Sequence, residues 1–177
     1  FSNTVSLSTS SEKGNTRFSF TNFDNDDISP NSTLDRNSLS VNTSQKFGKK
    51  ITLDASVKYL LEDQAGNPNV SDAPGNSNWV TQQYSPSIDV LWGKGPNGNG
   101  TAENGLNEYI FTSGIYITNP WFAQSKFVKE LEKNRFIGAV NAKWDLTNYL
   151  YVRGRVGMDR FDAHRRNSTP YGTRYQV

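Results

Sequence analysis

Apolar and polar residues alternate with a period of two along residues 51–61. Ile51, Leu53, Ala55, Val57, Tyr59 and Leu61 fall on one side, and Thr52, Asp54, Ser56 and Lys58 on the other. Successive side chains of a strand point to opposite faces, so this pattern predicts one apolar and one wet face, not a helical stripe. Ahead of the 47–50 turn, Leu39, Val41 and Thr43 alternate with Ser38, Ser40, Asn42 and Ser44, which makes the two segments a long hairpin. The same alternation places Val5 with Leu7, Phe18 with Phe20, and Phe136, Gly138, Val140, Ala142, Trp144 together. It also groups Leu150, Val152, Gly154, Val156 and Met158. Six antiparallel strands are predicted, near 3–10, 16–23, 38–47, 51–62, 134–146 and 149–161, each paired with its sequence neighbour.

Between these strands the connections alternate in length. They are short at 11–15, 47–50 and 147–148, longer at 24–37, and very long at 62–133. After Phe161 the chain turns polar, with no apolar element before Val177. The long segment holds five of the seven prolines and the glycine-rich run 93–105. A connection beyond about 12–15 residues is functional, disordered or locally folded. Short helices are expected within 78–92 and 122–131, and the glycine run is expected to be the most mobile part. Alternating short and long connections are the asymmetry of an outer-membrane barrel, with tight periplasmic turns and long outer loops. Aromatic placement agrees: Phe47, Trp144, Tyr149 and Tyr151 lie near the short-turn ends, Tyr59 and Phe136 near the others. Such rings favour the two membrane–water interfaces. A soluble β-sandwich carries similar alternation and is the other architecture the pattern admits.

Composition changes this picture little. Only 34% of residues are hydrophobic and no run of 18 apolar residues occurs, so no transmembrane helix is predicted. A spanning strand needs alternate apolar residues over only about 9–11 positions. The net charge of +2, with scattered basic residues, argues against a nucleic-acid partner. Without cysteine there is neither a disulfide framework nor thiol chemistry. With Phe1 first, the chain is expected to be either a mature protein or a piece of something larger.

Several phrases are similar to the SusC/RagA-type TonB-dependent outer-membrane transporters of Bacteroidetes. They are Arg17-Phe18-Ser19-Phe20 with Pro30-Asn31-Ser32 and Asp35-Arg36-Asn37-Ser38-Leu39, then Ile51-Thr52-Leu53-Asp54-Ala55 leading to Asp72-Ala73-Pro74-Gly75-Asn76. Next come Asn119-Pro120-Trp121-Phe122 and Lys133-Asn134-Arg135-Phe136-Ile137-Gly138. The last are Val152-Arg153-Gly154-Arg155-Val156-Gly157 and Tyr171-Gly172. The phrases span nearly the whole chain in the family's order. The resemblance implies an all-β fold: an antiparallel transmembrane β-barrel segment, about six strands of a barrel of about 22, with long extracellular loops. It makes residues 1–177 part of one barrel domain, with 62–133 an extracellular excursion and the plug and TonB box not seen in this chain. It further implies import of oligosaccharides or oligopeptides at the bacterial outer membrane, with no enzymatic step and no cofactor. Its partners would be the rest of the barrel and plug, TonB acting through that plug, a SusD-like surface lipoprotein, and the lipid membrane. A secreted soluble all-β glycan-binding module is the alternative.

Candidate chemistry is sparse. His164 stands in a polar tail without a nucleophile motif, so no catalytic residue is assigned. Asp24, Asp26 and Asp27 have acidic spacing, but Ile28 and Ser29 break the EF-hand pattern, and no metal site is assigned. Gly93-Lys94-Gly95 lacks the rest of a phosphate loop, and the sequons at Asn31 and Asn167 are the chance matches of an Asn/Ser/Thr-rich chain. Lys58, Arg153, Arg155 and Asp159 are expected to form a hydrated lumen wall or to contact a plug, rather than to form a substrate site. The long connection is unusually aromatic, with Trp79, Tyr84, Trp92, Tyr109, Phe111, Tyr116, Trp121 and Phe122. Flat rings among amide side chains suit sugar faces or peptide side chains. Trp79, Trp92 and Trp121 are the expected ligand- or partner-contacting residues.

Overall fold

The computed structural model describes residues 1–83, 89–110, 114 and 116–175. Six strands form one sheet in the order of the chain: β1 Ser2–Ser11, β2 Gly14–Asp26, β3 Thr33–Phe47, β4 Ile51–Ala65, β5 Val128–Asp145 and β6 Tyr151–Ser168. Among the described residues of the long connection are three short helical elements: α1 Ser77–Gln83, a 3-10 turn Val90–Lys94, and α2 Pro120–Lys126. The fold is all-β. No helix among the described residues is long and apolar enough to cross a membrane.

The predicted strands are present and pair as neighbours, but most run further than their apolar alternation. β2 and β3 extend to Asp26 and from Thr33, leaving only 27–32 as a bend where a longer polar connection was expected. There Asp27 Oδ1 accepts from the Ile28 amide at 2.7 Å, and Asn31 takes a left-handed φ of 62°. β5 begins at Val128, so the helix expected over 122–131 ends at Lys126 and its last residues are strand. β6 continues to Ser168 through the segment read as a polar tail. Of the other expected helix, over 78–92, the described residues hold α1 and the 3-10 turn, and 84–88 lie outside the described residues. In place of a two-residue turn, residues 146–150 close through the Leu146 and Thr147 amides, both donated to the Leu150 carbonyl.

The chain divides into two compact units. The first comprises Phe1–Asn25, Leu34–Asp63 and Glu132–His164 and contains most of the sheet. Its register sets Val5 opposite Phe20 and Leu7 opposite Phe18 on one face, and Thr4 opposite Thr21, with hydroxyls 2.9 Å apart, on the other. Val57, Val140, Val152 and Val156 stand exposed, Val156 at 77%, and Leu53 is partly exposed. No other sheet among the described residues covers that face. The Phe136 ring lies against Gly138, where a Cβ would approach it to 3.0 Å. Tyr151 departs from the expected aromatic girdle, since it takes Lys143 and Arg153 over its ring at 4.9 and 5.8 Å. That belongs to the polar face.

The second unit comprises Asp26–Thr33, Gln64–Leu131 and Arg165–Val177. Among its described residues the buried hydrophobic ones are Phe122 and Ala123 of α2, and Phe122 meets Phe127 edge-on with centroids 6.3 Å apart. Part of the glycine run packs against α2. Thr101 is fully buried, and Gly100 lies so close to α2 that a Cβ would come within 2.1 Å of the Phe122 amide nitrogen. Gly98 has a similar left-handed φ, 75° against 78°, but open space beside it. Gly98→Ala should therefore cost only the left-handed penalty of roughly 1–2 kcal/mol. Gly100→Ala should cost clearly more, because backbone must move. Proteolytic nicking within 89–110, compared between the two variants, checks the difference.

Candidate functional site

Asn119 organises the second unit's aromatic residues. As the N-cap of α2, its Oδ1 accepts from the amides of Trp121 at 3.0 Å and Phe122 at 3.5 Å, and Pro120 fills the first helical position, where no amide donor is needed. Its Nδ2 donates to the carbonyls of Gly93 at 2.7 Å and Tyr109 at 2.9 Å. At 1% exposure it has every side-chain polar atom engaged, as burial demands.

The Asn119 amide in turn donates to Glu108 Oε1 at 2.6 Å, and the Arg174 amide donates to Oε2 at 2.9 Å. Glu108 is 5% exposed, and its own amide bonds the Gly172 carbonyl at 3.0 Å. One buried carboxylate thus joins the α2 entry to the 172–174 segment. Burial pushes its pKa above the ordinary value of 4.5, against the opposing pull of the Arg174 and Asn119 amides.

The three tryptophans singled out by sequence have different roles. Trp121 is a strut: its indole Nε1 donates to the Val90 carbonyl at 3.0 Å, and the Lys94 ammonium lies 4.7 Å from its ring centroid. These contacts hold the 3-10 turn, whose Asp89 N-cap accepts from the Leu91 amide at 2.9 Å. Trp92, on that turn, is 62% exposed. With Leu91, Pro96, Tyr109 and Glu103 it lines an open cleft of about 500 Å³. Trp79 in α1 is partly buried and does not line the cleft. Tyr84 and Phe111 lie outside the described residues. An exposed indole beside a second ring and a carboxylate is a platform with a polar edge, chemistry that stacks on a sugar ring or an apolar side chain. Sequence reading found Trp92 but not Asn119 or Glu108. Asn119-Pro120 did carry a readable helix-start signal.

The first unit holds a separate polar surface. Asp54 accepts from Ser44 Oγ at 2.7 Å and Asn141 Nδ2 at 3.0 Å, joining β3, β4 and β5. Arg36 Nε donates to Glu62 at 2.7 Å, and Arg135 pairs with Asp159 across β5 and β6. Asn42, Ser44, Asp54, Asn141, Arg153 and Arg155 line an open hollow of about 560 Å³ on this face. Lys58 is exposed.

No protein-family model matches the chain, and no curated protein is similar to it at a significant level.

Two predictions separate scaffold from site. Trp121→Ala should destabilise the second unit by about 1–3 kcal/mol, its ring being only partly buried, whereas Trp92→Ala should leave unfolding unchanged and weaken ligand retention. Thermal unfolding and glycan or peptide pull-down, run on both variants, would read this. For Glu108, the folded state binds the proton more tightly than the unfolded chain. Its contribution is therefore fully present below pH 4.5 and is lost as pH rises through the elevated folded value. Glu108→Gln should lower stability by about 1–3 kcal/mol by leaving one amide without its acceptor, and should also flatten this part of the pH profile.

Proposed function

We propose that this chain forms part of the wall and outer loops of a SusC/RagA-type TonB-dependent transporter in the bacterial outer membrane. The observation that carries the reading is the pair of unlike faces on one sheet. One face is lined by exposed Val57, Val140, Val152 and Val156; the other is crossed by Asp54–Asn141, Arg36–Glu62 and Arg135–Asp159 contacts. Lipid covers an apolar face of this kind, and a hydrated lumen suits the other.

In this reading β1 and β6, the two ends of the strand order, continue into neighbouring strands of a larger barrel. An open edge in hydrocarbon would leave its backbone groups unsatisfied. The unit built from 26–33, 64–131 and 165–177 belongs to the extracellular side, where a SusD-like lipoprotein delivers the substrate. The Trp92 cleft contacts that substrate, an oligosaccharide or oligopeptide, or the lipoprotein itself. The chain performs no chemical step; energy reaches the transporter through TonB and the plug.

The test compares two adjacent substitutions in the protein expressed in its host. Val57→Lys should cost about 2–4 kcal/mol near the bilayer midplane and reduce the heat-modifiable band in outer-membrane fractions. Lys58→Glu should leave that band unchanged. The reverse result, or recovery of the protein in the soluble fraction, would overturn the proposal. A soluble outcome would favour a secreted glycan-binding module using the same cleft.

A further inference from the structure

The second unit contains a groove that the aromatic cleft does not use. Asn69, Pro74, Val128, Lys129, Asn167, Ser168, Thr169, Pro170 and Tyr171 enclose about 630 Å³. A smaller hollow of about 160 Å³ shares Lys129 and Asn167 with it and adds Gln64, Asn67, Glu130, Leu131 and Arg165. A volume of this order suits a small ligand, since such sites span roughly 300–1,000 Å³.

Its charge is unusual. Lys129 and Arg165 line the same hollow, and neither forms an ion pair among the described residues; the Glu130 carboxylate also lines it but is paired with Arg166 at 3.4 Å. Lys129 is partly buried, and both this burial and the nearby Arg165 charge pull its pKa below the ordinary range. Two like charges held together on neighbouring strands destabilise a sheet. A bound anion would relieve that repulsion, and charge-assisted bonds from two cations would hold it strongly.

The remaining lining identifies what carries the anion. Gln64 and Asn67 are hydrogen-bonded to each other at 3.0 Å, so their amides are fixed in place, and Asn167 adds a third. Tyr171 is 85% exposed and follows Pro170, giving an open ring face beside the polar rim. Amide groups match hydroxyls, a tyrosine face matches a pyranose ring, and the cation pair matches a carboxylate or sulfate. We infer that this groove binds an acidic sugar, with Lys129 and Arg165 on the anionic group and Tyr171 against the ring. This narrows the substrate class of the transporter reading and rests on it only for what becomes of the ligand after capture.

The test measures binding to the full-length protein, in its native membrane or in detergent. The probes are a galacturonate oligomer, its methyl-esterified counterpart, a sulfated galactose oligomer and an acidic peptide. The acid form should bind at least about tenfold more tightly than the ester, with the difference shrinking as salt rises. Lys129→Gln and Arg165→Gln should each remove about tenfold of that preference, Lys129→Arg should keep it, and Lys143→Gln should not affect it. A preference for carboxylate or for sulfate would each support the site and say which anion it takes. Equal binding of acid and ester, unchanged preference in both neutral variants, or tighter binding of the peptide would overturn it. Fractionation judges the transporter reading separately: a soluble protein that still prefers the acid sugar keeps the groove and loses the transporter. An outer-membrane protein indifferent to the acid does the opposite.

Discussion

A sheet whose apolar side chains have none of the described residues over them sets the terms for the rest of this structure. Unit one has no fully buried hydrophobic residue among the described ones. It is joined by backbone ladders and polar contacts, and exposed ion pairs add little stability in water. Burial of apolar area, the main favourable term in folding, is therefore left to whatever covers Val57, Val140, Val152 and Val156. An aqueous environment would make such a face an aggregation surface, whereas a hydrocarbon layer makes it a necessity.

The polar face then acquires a purpose besides solubility. Because side chains alternate with a strict period of two, a slip by one residue would move Asp54 and Arg135 to the apolar side and Val57 to the wet one. Contacts such as Asp54 with Ser44 and Asn141 join β3 to β4 and β4 to β5, although residues 66–127 separate the last two strands in sequence. The same register is seen where the Asp145 amide meets the Lys50 carbonyl at 2.8 Å. Specificity of register, more than energy, is what these bonds contribute.

Much of this was legible in the sequence, and the failures share a cause. Apolar alternation reports a strand only where one face is dry. At 128–133 and 162–168 both faces carry charged or polar residues, so the signal vanishes while backbone pairing continues to Val128 and Ser168. Lys129 and Arg165 were missed for that reason: without strand assignments there was no ground for placing them on neighbouring strands. Glu108 was invisible for a different one. Nothing in Asn107-Glu108-Tyr109 marks a carboxylate as buried, because its partners are the backbone amides of Asn119 and Arg174, distant in sequence.

The glycine run shows that glycine serves packing as well as freedom. Gly95, Gly98, Gly100 and Gly105 all take positive φ, which glycine adopts without the Cβ penalty. Only some of these positions also need the space: Gly95 and Gly100 sit against Tyr109 and Phe122, while Gly98 and Gly105 have nothing nearby. Glycine here permits close approach to α2, and the Asn119 and Glu108 bonds then fix the arrangement, so the residues most suited to flexibility become part of the framework. That framework has a consequence for recognition. With Trp121 fixed by Val90 and Lys94, the 3-10 turn presents Trp92 outward from a pre-set position, and a ligand that stacks there need not order the turn first.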